Sequence, residues 1–319
     1  MKRWLPLIML MVIFIVTDAA VVGLLNAASG IAIVSLLLGF LAAGATLLLY
    51  EFSVRKIEKK EAVDVPWSRA AAGVRNGTLL GVGLFTLTVL LIAIFGGFSI
   101  AGWGSFGGMI SIFGLMTAVA AVEEVLFRGV LFRIIEEKAG TWRALAISAV
   151  IFSVLHLLNP GRSFGGVIGI VAAGAMVASA YVATRSLWVP IGMHLGWNWA
   201  EGGLFGVTVS GSEGGREGLL HGVFDGGAAL TGGSFGPEAS IAAILIGLVA
   251  TYLFLRNAQR NGNIRPRPAA VLTTASASSS AASVSPTASV SPTASPASAS
   301  SASAGAGEAS YREQAEASE

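Results

Sequence analysis

Glu123, Glu124 and Arg128 stand in AVEEVLFRGVLF (residues 121–132), a run otherwise suited to lipid. An ionisable residue at the centre of a spanning helix costs roughly 2.5–3.5 kcal/mol on insertion scales, so such groups mark a purpose or a partner. A spacing of four places Glu124 and Arg128 on one helix face, close enough to pair. Glu123 is rotated about 100° from its neighbour and can point elsewhere. Two more segments break the apolar pattern. In FSVLH, Phe152 stands one turn before His156; in HLGWN, His194 and Asn198 form an i, i+4 polar face.

A carboxylate, two imidazoles and an amide held away from bulk water suit the activation of water against a carbonyl. Histidine and asparagine donors can stabilise the oxyanion that develops. The same Glu123, His156 and His194 are also the candidate ligands if a divalent metal such as zinc is bound, with water in the open position. The chain has no HExxH helix, no serine–histidine pair on a GxSxG elbow, and no cysteine, so zincin, serine-elbow and thiolate chemistries are set aside. Each group also has a bland role. A lone intramembrane histidine or asparagine often links helices, and a Glu124–Arg128 pair can be purely structural. Asp18 and Glu201 are read as structural or interfacial. Glu123, unpaired, is the group that favours chemistry.

The elements that must carry these residues are membrane helices. The 319-residue chain is 54% hydrophobic and 12% charged, with a mean hydropathy of +0.74. Soluble domains carry about 25% charged residues, so the class is membrane protein, all-α and polytopic. Segments of about 20 apolar residues recur at roughly 5–27, 31–52, 77–98, 109–132, 144–159, 165–184, 187–206 and 239–255, giving about eight transmembrane helices with an active site inside the bundle. The first two should form a tight hairpin around Ser29 and Gly30. Segment one is expected to be a retained helix rather than a cleaved signal peptide, because its apolar run exceeds most signal cores.

Charge sets the orientation. With both termini cytosolic, Lys2 and Arg3, the basic loop before Arg75, Arg133 to Arg143, Arg185 and Arg256 to Arg267 all lie inside, leaving Arg162 and Arg216 outside. Counting 1.5 Å per residue inward from those basic ends puts Glu123 at roughly 15 Å, His156 at roughly 19 Å, His194 at roughly 14 Å and Asn198 at roughly 20 Å. Three helices thus deliver their polar groups to one layer. The organisation expected is an N-terminal hairpin (1–54), a cytosolic basic loop (55–76), a membrane domain (77–256) and a disordered Ala/Ser/Pro-rich tail (257–319). The Gly-rich acidic loop 207–238 lies on the outer side. The partners expected are membrane lipid and a peptide or protein, with nucleic acid excluded.

These residues resemble the CPBP family, the CAAX-protease and bacteriocin-processing (Abi) membrane proteins. EEVLFRG matches the family's EExxxR, FSVLH its FxxxH and HLGWN its HxxxN, in the family's order, and LTGGSFGPEAS is also similar. The resemblance covers about residues 75–256. It implies an intramembrane endopeptidase of the cell membrane in which Glu123 activates water with help from His156. His194 and Asn198 would bind the oxyanion, with Glu124, Arg128 and Phe152 in support. A lipidated substrate is what the CAAX relationship implies. A non-catalytic scaffold or bacteriocin-immunity protein, or a proton- or ion-coupled transporter, are the alternatives a helix-holding or relaying polar cluster would serve.

Overall fold

A computed structural model describes residues 5–27, 31–211 and 217–267. The expected turn around Ser29 and Gly30, the terminal Lys2 and Arg3, Arg216, and the tail from 268 onward lie outside the described residues.

All eight apolar segments are helical. α1 (Leu5–Ala27) and α2 (Ala32–Ser53) are followed by α3 (Ala70–Ile94), then α4 (Phe106–Glu124), which continues through a π-helical turn (Val125–Phe132) into α5 (Arg133–Ala139). α6 (Thr141–His156), α7 (Phe164–Thr184) and α8 (Trp188–Asn198) come next, α8 running on into a second π turn (Trp199–Leu204). The short α9 (Ala228–Thr231) precedes α10 (Ile241–Arg260). Among the described residues, six helices are long and apolar enough to cross a membrane, while α6 is a shorter apolar helix. The molecule is an all-α, multi-pass membrane protein.

The departures from expectation are local. α3 begins at Ala70, inside the stretch assigned to the basic loop, and stops at Ile94, where Gly96 turns the chain at a φ of 78°. The chain then forms a strand, β1 (Phe98–Trp103), paired antiparallel with β2 (Leu220–Phe224). This two-stranded ribbon ties the loop after α3 to the long loop before α10. α1 lies chiefly against α4 and the following π turn, and α2 lies along α4. The reason is a backbone-to-backbone approach, since a Cβ at Gly39 would collide with Gly114 and one at Gly114 with Ser35.

The same device fixes the helix that carries the third motif. Gly73, Gly77 and Gly81 form one stripe of α3, and Gly192 and Gly196 one stripe of α8. A Cβ at Gly77 would strike the Val189 carbonyl, at Gly81 that of Met193, at Gly192 that of Val74 and at Gly196 that of Thr78. Lipid offers no hydrophobic drive for helix pairing, so such close contact is how membrane helices associate. His194 and Asn198 are positioned by this zipper. At its margin Phe85 packs edge-on against Trp197, with ring centroids 5.3 Å apart.

At the basic ends of the helices, side chains close the bundle. Tyr50 donates to Asp64 Oδ2 (2.8 Å) and approaches the Gly129 carbonyl (2.9 Å), while Arg133 binds Glu58 and the Gly129 carbonyl. Burial of Asp64 holds its carboxyl above the usual carboxylate range. Glu136 accepts from Arg185 and Thr141, and Arg265 stands 3.3 Å away.

Replacing Gly192 by Val should lower stability by about 3 kcal/mol, the upper end for an overpacked contact. Gly83→Val is the control, because a Cβ at Gly83 meets nothing within 4 Å. Thermal unfolding in detergent measures both; equal midpoints would show that the α3–α8 zipper does not hold the bundle.

Candidate active site

The site begins where α4 gives way to its π turn. The widened turn from Val125 to Phe132 directly follows Glu123 and Glu124 and contains Arg128; π turns of this kind recur at functional sites. Glu124 and Arg128 are both almost fully buried and pair at 2.6 Å. Arg128 also donates to the Gly174 carbonyl of α7 (2.9 Å) and lies 5.0 Å over the Phe152 ring of α6. One guanidinium thus binds three helices.

Glu124 has a second task that its spacing to Arg128 does not reveal. Its Oε1 accepts from Nδ1 of His194 at 2.8 Å, across from α8. With Nδ1 so held, the other nitrogen of the ring, Nε2, faces Glu123, whose Oε2 stands 3.9 Å away. That oxygen is buried and has no hydrogen-bond partner. The two adjacent carboxylates therefore divide: Glu124 is committed to Arg128 and His194, and Glu123 confronts the free edge of the same imidazole.

Phe152 is the aromatic centre of the site. Its ring lies 4.6 Å from His156, 4.7 Å edge-on from Phe127 and 6.3 Å from His194. His156, at the last turn of α6, has Nδ1 2.9 Å from the Phe152 carbonyl, which leaves Nε2 for the site. Asn198 ends α8 one turn beyond His194 and is 8% exposed. A cleft with about 390 Å³ of empty space, its mouth included, is lined by Phe152, His156, His194 and Asn198 together with Trp197 and Glu238. Glu123 is not part of that lining; it meets the cleft through the His194 edge.

The structure thus assembles all seven motif residues, from three helices and one π turn. It adds Asp18 of α1, read from sequence as structural, which lies within electrostatic reach of both Glu123 and His156. It also adds Glu238, which lies in a loop and carries no spacing signal toward the helical motifs. The spacing GxSxG occurs at residues 161–165, where Ser163 caps α7 by accepting from the Gly166 N–H at 3.0 Å, and again at 232–236. Ser234 there is exposed on a 3-10 turn and its nearest partner is the Gly161 carbonyl at 3.4 Å, so it has no histidine to activate it.

Among the described residues, no group of three or more histidine or acidic side chains is placed to hold a metal ion. Glu123, His156 and His194 do not close around one point, so the donor set does not fit a divalent ion and no step of the reaction is routed through one.

Residues 85–200 match the family model for Rce1-like proteins, the type II CAAX prenyl endopeptidases. This part of the chain is similar to the CPBP/CAAX protease family. The family is one of proteases, and its matched span contains every motif residue from Glu123 to Asn198 but neither Asp18 nor Glu238. A membrane-embedded member of it works in lipid on peptide or protein. No curated protein and no solved structure matches the chain.

Removing Glu124 should unfold where removing Glu123 does not. Glu124→Ala leaves Arg128 buried without its counter-charge, a loss of about 3–5 kcal/mol. Glu123→Ala deletes an oxygen that has no partner, so its melting temperature should stay near that of the parent. Equal destabilisation of the two variants in detergent would overturn the division of labour between them.

Proposed function

We propose that the protein is an intramembrane endopeptidase of the cell membrane, both termini cytosolic, that hydrolyses a peptide bond in a lipidated, membrane-associated substrate of CAAX type. The observation that carries this reading is the pairing of an unpartnered Glu123 oxygen with the free edge of His194, whose opposite edge is anchored by Glu124.

The chemistry rests on the roles these positions permit. Glu123, with His156 beside the cleft, takes a proton from water as the oxygen attacks the scissile carbonyl. The carbonyl oxygen becomes an oxyanion. A protonated His194 turns an N–H toward it from Nε2, and the Asn198 amide supplies a second donor. Glu124 stabilises the charge on the imidazole while its bond to Arg128 keeps it from acting as a competing base. Preorganisation matters because these donors need not reorient during reaction. The apolar walls, Ile170, Met176 and Val177, keep water to the molecule being consumed. A lipid-anchored peptide suits a site at this depth, since its anchor brings the bond to be cut into the bilayer.

The test compares membrane peptides by mass spectrometry in cells carrying the parent protein or Glu123→Gln at equal level. Cleaved fragments should disappear in the variant, with the rate down at least ~100-fold, the scale of a lost general base. His156→Ala and His194→Ala should do the same, and Asn198→Ala should cost ~100-fold or more as a lost oxyanion donor. Full processing by Glu123→Gln would show that another group activates the water.

A further inference from the structure

Among the buried acidic groups that the proposed hydrolysis leaves unused, two lie together beside the cleft. Glu201, in the π turn after α8, is fully buried, and neither of its carboxyl oxygens has a hydrogen-bond partner. Its charged neighbour is Glu238. The two are brought together by the turn Gly236–Pro237–Glu238: a Cβ at Gly236 would lie 3.6 Å from Glu201 Oε1. The turn is seated directly on α7, where a Cβ at Gly169 would strike the Glu238 carbonyl.

Glu238 is the member that faces the cleft. Its Oε1 accepts from Trp197 Nε1 at 3.0 Å and its Oε2 from the Ser210 hydroxyl at 2.5 Å. Ser210 is itself held at a φ of 48°, with its carbonyl accepting from Asn159 at 2.6 Å. A non-glycine residue in that region is strained, and such strain persists where surrounding contacts impose it. The loop is thus built to deliver a carboxylate with two donors to the cleft wall beside His194 and Asn198.

Two carboxylates in contact away from water share one proton at rest, because ionising the second is far costlier than ionising the first. The donors divide them: Glu238 receives two hydrogen bonds and keeps the charge, whereas Glu201, with none, keeps the proton. We propose that Glu201 and Glu238 form a proton-sharing acid pair that protonates the amine leaving group, Glu238 touching the substrate nitrogen and Glu201 acting through it. The inference rests on the peptidase reading.

The step balances. When the tetrahedral adduct collapses, the C–N bond breaks and its electron pair remains on nitrogen. Glu238 takes the proton of Glu201 and delivers it to that nitrogen, leaving the pair briefly with two negative charges. The proton that Glu123 took from water then returns to the pair through the cleft. The products are a carboxylic acid and an amine, and all three carboxyl groups are restored.

An amine needs a proton to leave; an alkoxide leaves far more readily. The experiment uses the full chain in lipid nanodiscs with two probes, a farnesylated CAAX peptide and its depsipeptide analogue with an ester at the scissile bond. Glu201→Gln retains the shape and hydrogen-bonding donor of a protonated glutamate but has no proton to give. Its amide hydrolysis should fall ~100-fold, the lower range for a lost general acid, with ester hydrolysis within ~3-fold of the parent. Glu238→Gln should show the same split. Equal loss on both probes, or loss on neither, overturns the proposal. Infrared difference spectra of parent and Glu201→Gln at neutral pH supply a readout without turnover: the carbonyl band of a protonated carboxyl should vanish in the variant, and its persistence overturns the proposal as well. Glu123→Gln, inactive on both probes, keeps failure of the peptidase reading distinct from failure of this one. A parent protein that cleaves neither probe counts against that reading, and the infrared band alone then decides whether the proton store exists.

Discussion

Glu124 is the residue on which the rest of the site depends. A carboxylate with no exposure inside a helix bundle is tolerated only when its charge is answered. Here the answer comes from two directions, Arg128 on its own helix at 2.6 Å and His194 on α8 at 2.8 Å. Because Arg128 continues to the Gly174 carbonyl and the Phe152 ring, this one charge fixes α4, α6, α7 and α8 relative to each other. Its energetic contribution to stability need not be large, since desolvation offsets most of the attraction. What it supplies is uniqueness. Rotating any of the four helices would strand a charge in the apolar interior.

That electrostatic centre works only because backbones approach closely around it. The α3–α8 glycine stripe removes side chains from one face of α8, so the opposite face, with His194, can press into the bundle. The π turn after Glu124 does complementary work. A π turn inserts a residue without ending the helix, and so shifts the register of the later residues against the earlier ones. Glu123 and Glu124 stay on the regular helix while Arg128 sits in the widened part, yet the pair still closes. The second π turn begins directly after Asn198 and turns Glu201 toward the Gly236 loop. The first irregularity runs through its motif, and the second begins where its motif ends.

Much of this was legible from residue types alone, for a physical reason. Lipid forces spanning segments to be apolar and helical, so the eight helices and the rare polar groups within them stand out, and counting residues from the basic ends places Glu123, His156, His194 and Asn198 in one neighbourhood. What spacing could not show is a partner on another helix. Glu124 looks committed to Arg128 by its i, i+4 spacing, and nothing local says that its second bond goes to His194 seventy residues away. The glycine zipper is hidden by abundance: with 41 glycines in the chain, the stripe at 73, 77 and 81 does not stand out until a neighbour is known. Glu238 is hidden differently. It lies in an irregular loop, where neither helical period nor hydropathy predicts which way a side chain turns.

These gaps have a common origin, and it bears on how the site is divided. The three motifs are encoded within single helices, where i, i+4 geometry makes them readable. The groups that complete the site come from elsewhere: Asp18 from the N-terminal helix, and Glu238 with Ser210 from the loop joined to β1 through β2. A helix bundle can hold a rigid charged centre, but its inward faces are few and already used by packing. A cleft needs walls that can be shaped without moving that centre. The long loop provides one such wall, seated on α7 through Gly169, while the Glu124 clamp remains untouched. The three motifs therefore reside in the helices, while α1 and the loop that carries Glu238 supply the groups around them.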